Sequence, residues 1–158
     1  LNFAYHTGNP ITDIIIHQKK QEAEKRQIQF KADFSYPPKL FIDVYDVAVI
    51  LNNALENAIE ACGRTEGVKE IALRSCQKGS LFFIEVENDF EEEIVMDKES
   101  GLPVSSKKKG KLHGIGISNI QRCAKNYMGD IDIVISCTNG RKKFSLTVMM
   151  NGKHKTPV

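Results

Sequence analysis

Three asparagines in one short run are the side chains of this sequence best suited to hold a cation: Asn52, Asn53 and Asn57. On a helix, the polar side chains of this region would share the face opposite its apolar stripe: Asp46, Asn53, Glu56, Asn57 and Glu60. Asparagine lowers helix propensity relative to alanine, whereas its carboxamide oxygen is a good ligand for Mg²⁺. Mg²⁺ takes one or two protein oxygens and completes its shell with water and phosphates. The face is therefore a candidate cation site, with a plain solvated face as the alternative.

A second candidate site lies about 55 residues further on, where glycines follow a basic run. Lys111 and His113 precede Gly114, Ile115 and Gly116, and the pattern predicts a helix that begins at residue 115. Glycines let backbone N–H groups approach a phosphate, and a helix N-terminus adds partial positive charge. The serines and lysines of 105–109 could add further donors. The alternatives are a simple loop hinge and a lysine run that keeps a loop soluble.

Composition limits what can surround these residues. The chain has 158 residues, 41% of them hydrophobic, and a net charge of +2, which predicts one folded domain and excludes a disordered chain. So small a net charge also excludes a basic field over the whole domain, and we expect no nucleic-acid partner. No apolar run approaches the roughly 18 residues of a membrane span. The four cysteines lack metal-ligand spacing, so we expect small core residues in a reducing cytosol.

The elements that must position the two candidate sites follow from hydrophobic periodicity. Helical spacing predicts helices at 11–27, 43–62 and 115–128. Alternating or β-rich runs predict strands at 28–32, 68–76, 81–88, 131–136 and 143–150. The segment 89–112 shows little periodicity and is predicted to be a structureless lid. The order predicts an α+β fold: a two-layer sandwich in which a mostly antiparallel sheet of about five strands carries three helices on one face.

Two motifs make a family resemblance visible. Asn-Ala-Leu-Glu-Asn-Ala at 53–58 resembles the N-box of the GHKL superfamily of ATP-binding domains, and His-Gly-Ile-Gly-Ile-Ser-Asn-Ile at 113–120 resembles its second glycine box. Thr-Gly-Asn-Pro-Ile-Thr-Asp at 7–13, Ala-Cys at 61–62 and Ser-Lys-Lys at 106–108 are similar to sensor histidine kinases of the Agr quorum-sensing receptor type. The resemblance covers residues 7–150.

The resemblance implies a Bergerat, or histidine kinase ATPase, fold that holds Mg²⁺ and ATP between the N-box helix, the lid and the sheet. It implies that Asn57 ligates Mg²⁺, that Asn53 faces the phosphates and that Glu56 assists. Gly114, Ile115 and Gly116 would form the phosphate loop, with Lys111 and His113 beside it. Asn88 stands where an aspartate usually reads adenine, with Asp89 adjacent; a plain strand-ending turn is the alternative for these two residues.

Two departures from the family pattern affect the predicted chemistry. The first glycine box is absent, because 87–93 contains no glycine. Hydrolytic members carry a general-base glutamate where this chain has Asn53, and a carboxamide cannot accept a proton from water. Transfer of a phosphoryl group to an imidazole needs mainly positioning and charge neutralisation, which remain possible. The sequence therefore favours a kinase over an ATPase.

The resemblance also implies partners. The acceptor histidine would lie on a separate dimerisation domain upstream, since His6, His17 and His154 lack its setting, and a response regulator would take the phosphoryl group. We expect a linker and helix at 1–27 leading from the dimerisation domain, the catalytic domain at 28–150 and a tail at 151–158. The chain would belong to the cytoplasmic part of a bacterial, membrane-anchored homodimer. The alternatives are a GHKL ATPase, an anti-sigma-type kinase, and a degenerate module that binds protein or nucleic acid through the basic residues at 107–111 and 141–143.

Overall fold

A computed structural model describes residues 5–104 and 110–153, and for 110–115 the backbone alone. Its elements, in chain order, are α1 (Pro10–Lys25), β1 (Gln29–Asp33), α2 (Val44–Gly63), β2 (Glu70–Lys78), β3 (Leu81–Phe90), α3 (Gly110–Lys125), β4 (Asp130–Thr138) and β5 (Arg141–Asn151). Within the described residues, none of the helices has the length and apolar character needed to span a membrane.

The strands form one mixed sheet in the order β1-β2-β3-β5-β4. β1 runs parallel to β2, and the other neighbouring pairs are antiparallel. The three helices form a second layer with α2 in the middle, packed between α1 and α3 and against β3. The two-layer α+β sandwich predicted from the periodicity is confirmed.

The core lies between these layers and follows the two periodicities. The apolar stripe of α2 is buried at Val47, Ile50, Leu51, Ala54, Leu55, Ala58, Ile59 and Cys62. Along β3, every second side chain is buried on the helix side, at Phe82, Ile84, Val86, Asn88 and Phe90. Asp43 caps α2, because its side chain accepts a hydrogen bond from the Tyr45 N–H. The stripe and the cap fix which face of α2 remains for the asparagines.

The predicted boundary at residue 27 does not coincide with a break in packing. Ile16 and Ala23 of α1 are fully buried in the same core as α2 and the sheet. The start of α1 is fixed by Asn9, whose Oδ1 accepts a hydrogen bond from the Ile11 N–H at 2.8 Å, and by Pro10 in the first turn. Helix α1 therefore packs in the same core as α2 and the sheet, and the domain boundary at 27 stays a prediction.

The predicted tail also begins later than expected. Asn151 is the last residue of β5, and the Gly152 N–H donates to the Ser80 carbonyl at 2.7 Å. A Cβ on Gly152 would lie 2.5 Å from the Leu40 Cβ, so only glycine fits this close approach. Residues 154–158 lie outside the described part of the chain.

The segment around the predicted lid differs most from the expectation. β3 continues to Phe90, and α3 begins at Gly110, five residues before the predicted start at 115. Residues 95–104 form a tight hairpin, hereafter the lid hairpin, in which the Val104 N–H donates to the Val95 carbonyl at 2.7 Å and the Asp97 N–H to the Leu102 carbonyl at 2.8 Å. The first half of the lid is therefore ordered by its own backbone hydrogen bonds, while 105–109 lie outside the described residues.

Two of the four cysteines are buried and two are exposed, which corrects the expectation that all four are core residues. Cys62 and Cys123 are buried, whereas Cys76 and Cys137 are exposed on the sheet. All four are free thiols.

Candidate functional site

A cavity of about 120 Å³ lies between α2, the sheet, α3 and the lid hairpin. Most of its walls are apolar, which suits a flat aromatic ligand. Its lining comprises Ala54, Asn57, Ala61, Arg64, Val86, Asn88, Phe90, Glu92, Glu93, Ile94, Pro103, Val104, Ile117, Phe144 and Leu146. The described lid residues supply the roof, since Ile94, Pro103 and Val104 all belong to or adjoin the lid hairpin.

At one end of the cavity, α2 and α3 meet through two asparagines and a glycine. A Cβ placed on Gly116 would lie 3.4 Å from Asn53 Oδ1 and 3.4 Å from Asn57 Nδ2. The carboxamides of Asn53 and Asn57 on α2 thus face the backbone of α3 at Gly116, which has no side chain. The structure brings together the two motifs, N-box and glycine pair, that the sequence places nearly sixty residues apart.

Asn57 has the character expected of a ligand residue. Its Nδ2 is buried and lacks a hydrogen-bond partner, a costly state for an amide unless a ligand supplies one. Since the described residues contain no cluster of three His, Cys, Asp or Glu side chains, a cation here would depend on an amide oxygen and on phosphate oxygens. Mg²⁺ accepts such a shell, so the side chains present fit this ion.

Asn53 is oriented by its own helix. Its Nδ2 donates to the Val49 carbonyl at 2.8 Å, which directs Oδ1 toward Gly116. Glu56, on the same helix, is exposed and does not line the cavity. Asn53 and Asn57 thus both lie beside Gly116, and of the three predicted side chains on α2 Asn57 is the one that lines the cavity.

Asn88 lies in the cavity wall and is only 3% exposed. Its Nδ2 donates to the backbone carbonyl of Asp89 at 3.0 Å. Because the amide nitrogen is used in this bond, the oxygen is the atom that could accept a hydrogen bond from a ligand. The Asn88 oxygen can therefore accept a hydrogen bond from an amino group of a ligand, as the resemblance implies for this residue.

Asp89, unlike Asn88, does not line the cavity, and its role as a nucleotide contact stays a prediction. It follows Asn88 on a strand, so its side chain points to the other face of the sheet. There its carboxylate forms ion pairs with Arg141 at 2.8 Å and Lys143 at 3.6 Å. Burial, with Asp89 adding to the effect, raises the pKa of the neighbouring Cys62 thiol to about 11, so this thiol is neutral.

The glycine pair lies within a helix and not before it. Gly114, Ile115 and Gly116 follow the first turn of α3, and Lys111 and His113 lie in that turn. The N–H groups left without intrahelical partners are those of the first four residues, 110–113. The predicted anion site at the helix N-terminus is therefore shifted toward Lys111 and His113, whose side chains, like those of Gly114 and Ile115, are outside the described part of the structure.

A sequence model of the GHKL domain matches residues 42–151, more than half of the chain. The chain belongs to the GHKL family. No curated protein matches the sequence significantly.

Solved structures agree with this GHKL assignment at the level of the fold. The catalytic domain of histidine kinase ThkA has 17% sequence identity to the chain, a TM-score of 0.62, and 97% coverage of both chains. A histidine kinase from Burkholderia phymatum superposes with a TM-score of 0.66 at 12% identity, covering 92% of this chain and 69% of its own. Acinetobacter baumannii histidine kinase AdeS gives a TM-score of 0.55 at 17% identity, with coverage of 96% and 68%.

The GHKL domain also uses residues that the motif reading did not identify. Ala61 and Arg64 line the cavity with Asn57 because positions i, i+4 and i+7 of a helix share one face. That spacing was visible in the sequence. Phe90 and Phe144 meet edge to face across β3 and β5, with ring centroids 6.3 Å apart, and form part of the wall. Their pairing depends on strand register, which has no local signal.

Proposed function

We propose that this GHKL domain binds Mg²⁺ and ATP in the cavity and donates the γ-phosphoryl group to a histidine on a separate dimerisation domain. The observation that carries the proposal is that Asn57, which lines an apolar cavity, lies beside Asn53 and Gly116. GHKL membership and the fold shared with histidine kinase catalytic domains support it.

The apolar part of the cavity suits the adenine base. Val86, Ile117 and Leu146 offer flat apolar contact, and the Asn88 oxygen can accept the hydrogen bond of the exocyclic amino group. An oxygen held in this way disfavours a purine with a carbonyl at the same position, because two acceptors would then face each other. We therefore expect preference for adenine over guanine.

The phosphates would lie toward Asn57, Asn53 and Gly116. Gly116 leaves room for phosphate oxygens beside both amides. Lys111, His113, Gly114 and Ile115 remain predicted phosphate contacts near the first turn of α3.

Asn57 would hold Mg²⁺ through its side-chain oxygen, and the bound ion would neutralise charge on the β- and γ-phosphates. The protein itself orients the nucleotide and supplies no general base that could activate a water molecule. Asn53 cannot remove a proton from water, and Glu56 faces solvent away from the cavity. This arrangement favours transfer to an imidazole that is brought to the site over hydrolysis.

The finer assignment is also a proposal: an Agr-type quorum-sensing receptor, anchored in a bacterial membrane as a homodimer, whose cytoplasmic catalytic domain phosphorylates its own dimerisation domain and thereby a response regulator. Its support is the set of short motifs at 7–13, 61–62 and 106–108. The alternative of a nucleic-acid module is weakened, because Arg141 and Lys143 form ion pairs with Asp89 and Glu87.

The proposal is tested by replacing Asn57. Asn57→Ala removes the metal ligand, and we expect at least a hundredfold loss of Mg·ATP affinity by calorimetric titration with an unchanged circular dichroism spectrum. Asn52→Ala, five residues earlier on the exposed face of the same helix, is the matched control and should bind like the wild type. In the full-length protein, radiolabel from the γ-phosphate should appear as an acid-labile phosphohistidine and vanish in Asn57→Ala. Wild-type affinity in Asn57→Ala would overturn the assignment.

A further inference from the structure

A charged contact joins the end of α2 to the beginning of the lid. Arg64 immediately follows α2, and its Nε lies 2.7 Å from Glu92 Oε1. Both residues line the cavity, so the contact closes one side of it. Arg64 is not among the predicted site residues, and it lies outside the motifs at 53–58 and 113–120.

A second contact at the same place links the same two segments. The Glu66 N–H donates to Glu91 Oε1 at 3.3 Å. Beyond these two contacts the chain enters the lid hairpin, whose Pro103 and Val104, together with the preceding Ile94, cover the cavity. In the described part of the chain, these two noncovalent contacts at Glu91 and Glu92 thus attach the roof to the end of α2.

We propose that the Arg64–Glu92 ion pair is a clasp that holds the lid hairpin over the cavity and so sets how long a nucleotide stays bound. The inference rests on the proposed function, because the occupant of the cavity is taken to be Mg·ATP. Arg64 and Glu92 are positioning residues: they act on the nucleotide by keeping Ile94, Pro103 and Val104 in place.

The exposure of the pair suits a clasp that opens. The side chains of Arg64 and Glu92 are 27% and 51% exposed, so water competes for both charges and the pair is weak enough to break repeatedly. A roof over a bound nucleotide must move for each exchange of ATP and ADP, and such movements commonly limit turnover. A stronger, buried pair would keep the product bound.

The first experiment follows the roof in the absence of nucleotide. Hydrogen exchange of peptides covering 91–104 should be faster in Arg64→Glu, which sets two carboxylates against each other. The double variant Arg64→Glu/Glu92→Arg should return exchange to the wild-type rate. Arg74→Glu is the matched control, because Arg74 pairs with Glu85 on the opposite face of the sheet, away from the lid. Unchanged exchange in Arg64→Glu would overturn the clasp.

The second experiment measures dissociation of a fluorescent ATP analogue by stopped flow. We expect roughly three- to tenfold faster dissociation in Arg64→Glu, the range for an exposed ion pair turned into a repulsion. The double variant should restore the rate, and Arg74→Glu should leave it unchanged. Restoration by charge exchange would not follow from a merely structural role of Arg64.

The outcomes separate the two proposals. If the wild type binds Mg·ATP and Arg64→Glu releases it at the wild-type rate, the clasp is wrong and the proposed function stands. If the wild type binds no nucleotide, the proposed function fails, and the role of the clasp in nucleotide retention fails with it. The exchange measurement on 91–104 then still reports whether the contact holds the roof.

Discussion

At the scale of single residues, the site depends on the absence of a Cβ atom at Gly116. Glycine inside a helix destabilises it by about 0.5–1 kcal/mol relative to alanine, so a glycine at this position of α3 needs another reason. A Cβ here would lie 3.4 Å from the neighbouring pair of carboxamides, which is ordinary contact, so the fold itself would accept it and only the space beside the two amides would be lost. We infer that the space beside Gly116 is kept for a ligand at the expense of helix stability.

If helix stability is lost to leave this space, replacing Gly116 by alanine should have opposite effects on stability and on nucleotide binding. Gly116→Ala should leave the free energy of unfolding unchanged or raise it by up to about 1 kcal/mol, because alanine is the better helix former. The same substitution should weaken Mg·ATP binding at least tenfold, because the added methyl group occupies the space between Asn53, Asn57 and the phosphates. Urea denaturation and nucleotide titration of one preparation measure both quantities. Wild-type affinity in the alanine variant would contradict this use of the space.

Residue identity in the site was partly predictable from the sequence. Asn53 and Asn57 were identified because their spacing puts them on one face of a helix that carries a family motif. Asp89 was assigned to the site because it adjoins Asn88, although period-2 alternation already implied that neighbours on a strand point to opposite faces. The spacing of Arg64 from Asn57 puts both on one side of the helix, but that spacing alone does not distinguish a cavity residue from a surface arginine. Its role appears only when the lid is folded against α2.

At the scale of elements, the site requires α2 and α3 to keep a fixed separation. Tyr127, fully buried just after α3, joins them: its hydroxyl accepts a hydrogen bond from the Asp43 N–H at 2.9 Å and donates one to the Asp46 carboxylate. One side chain thus connects the end of α3 to the first turn of α2. The other parts of these two helices meet at the asparagines and Gly116.

Removing this hydroxyl should cost stability. Tyr127→Phe removes one hydrogen bond from the Asp43 N–H and one from the Asp46 carboxylate, for which we expect a loss of about 1–3 kcal/mol in the free energy of unfolding. Tyr45→Phe is the control, because Tyr45 is 68% exposed on the same part of α2. Chemical denaturation of both variants is the measurement. Equal stability of Tyr127→Phe and the wild type would show that the hydroxyl does not join the helices.

Elements with strong periodicity were predicted well and those without it were not. Helix α2 shows an apolar stripe over its whole length and a capping aspartate, and its predicted start differs from the observed one by a single residue. The start of α3 was placed five residues too late, because Gly110, Gly114 and Gly116 have low helix propensity and indicate a loop. The lid hairpin has no apolar alternation, so its backbone pairing was not predictable from local pattern.

At the scale of the whole molecule, the fold separates two kinds of surface. One face of the sheet packs against the helix layer and encloses the cavity, while the other carries ion pairs such as Arg74–Glu85 and Arg141–Asp89. The net charge of +2 conceals this pairing of opposite charges. The two-layer architecture was predictable from the order of elements, whereas the parallel pairing of β1 with β2 and the strand order were not, because both depend on contacts distant in sequence.

The central claim concerns the whole molecule: it folds around a site for Mg·ATP. A ligand that binds only the folded state at about 100 times its dissociation constant adds about 2.7 kcal/mol to the free energy of unfolding. For a chain of this size that corresponds to a rise of roughly 5–10 °C in the melting temperature.

Thermal unfolding with and without Mg·ATP is therefore the most direct measurement. We predict that the melting temperature of the wild type rises by that amount with ATP and Mg²⁺ together, that chelation of Mg²⁺ by EDTA removes most of the rise, and that Asn57→Ala shows none. A melting temperature of the wild type that does not change at millimolar Mg·ATP would contradict the claim.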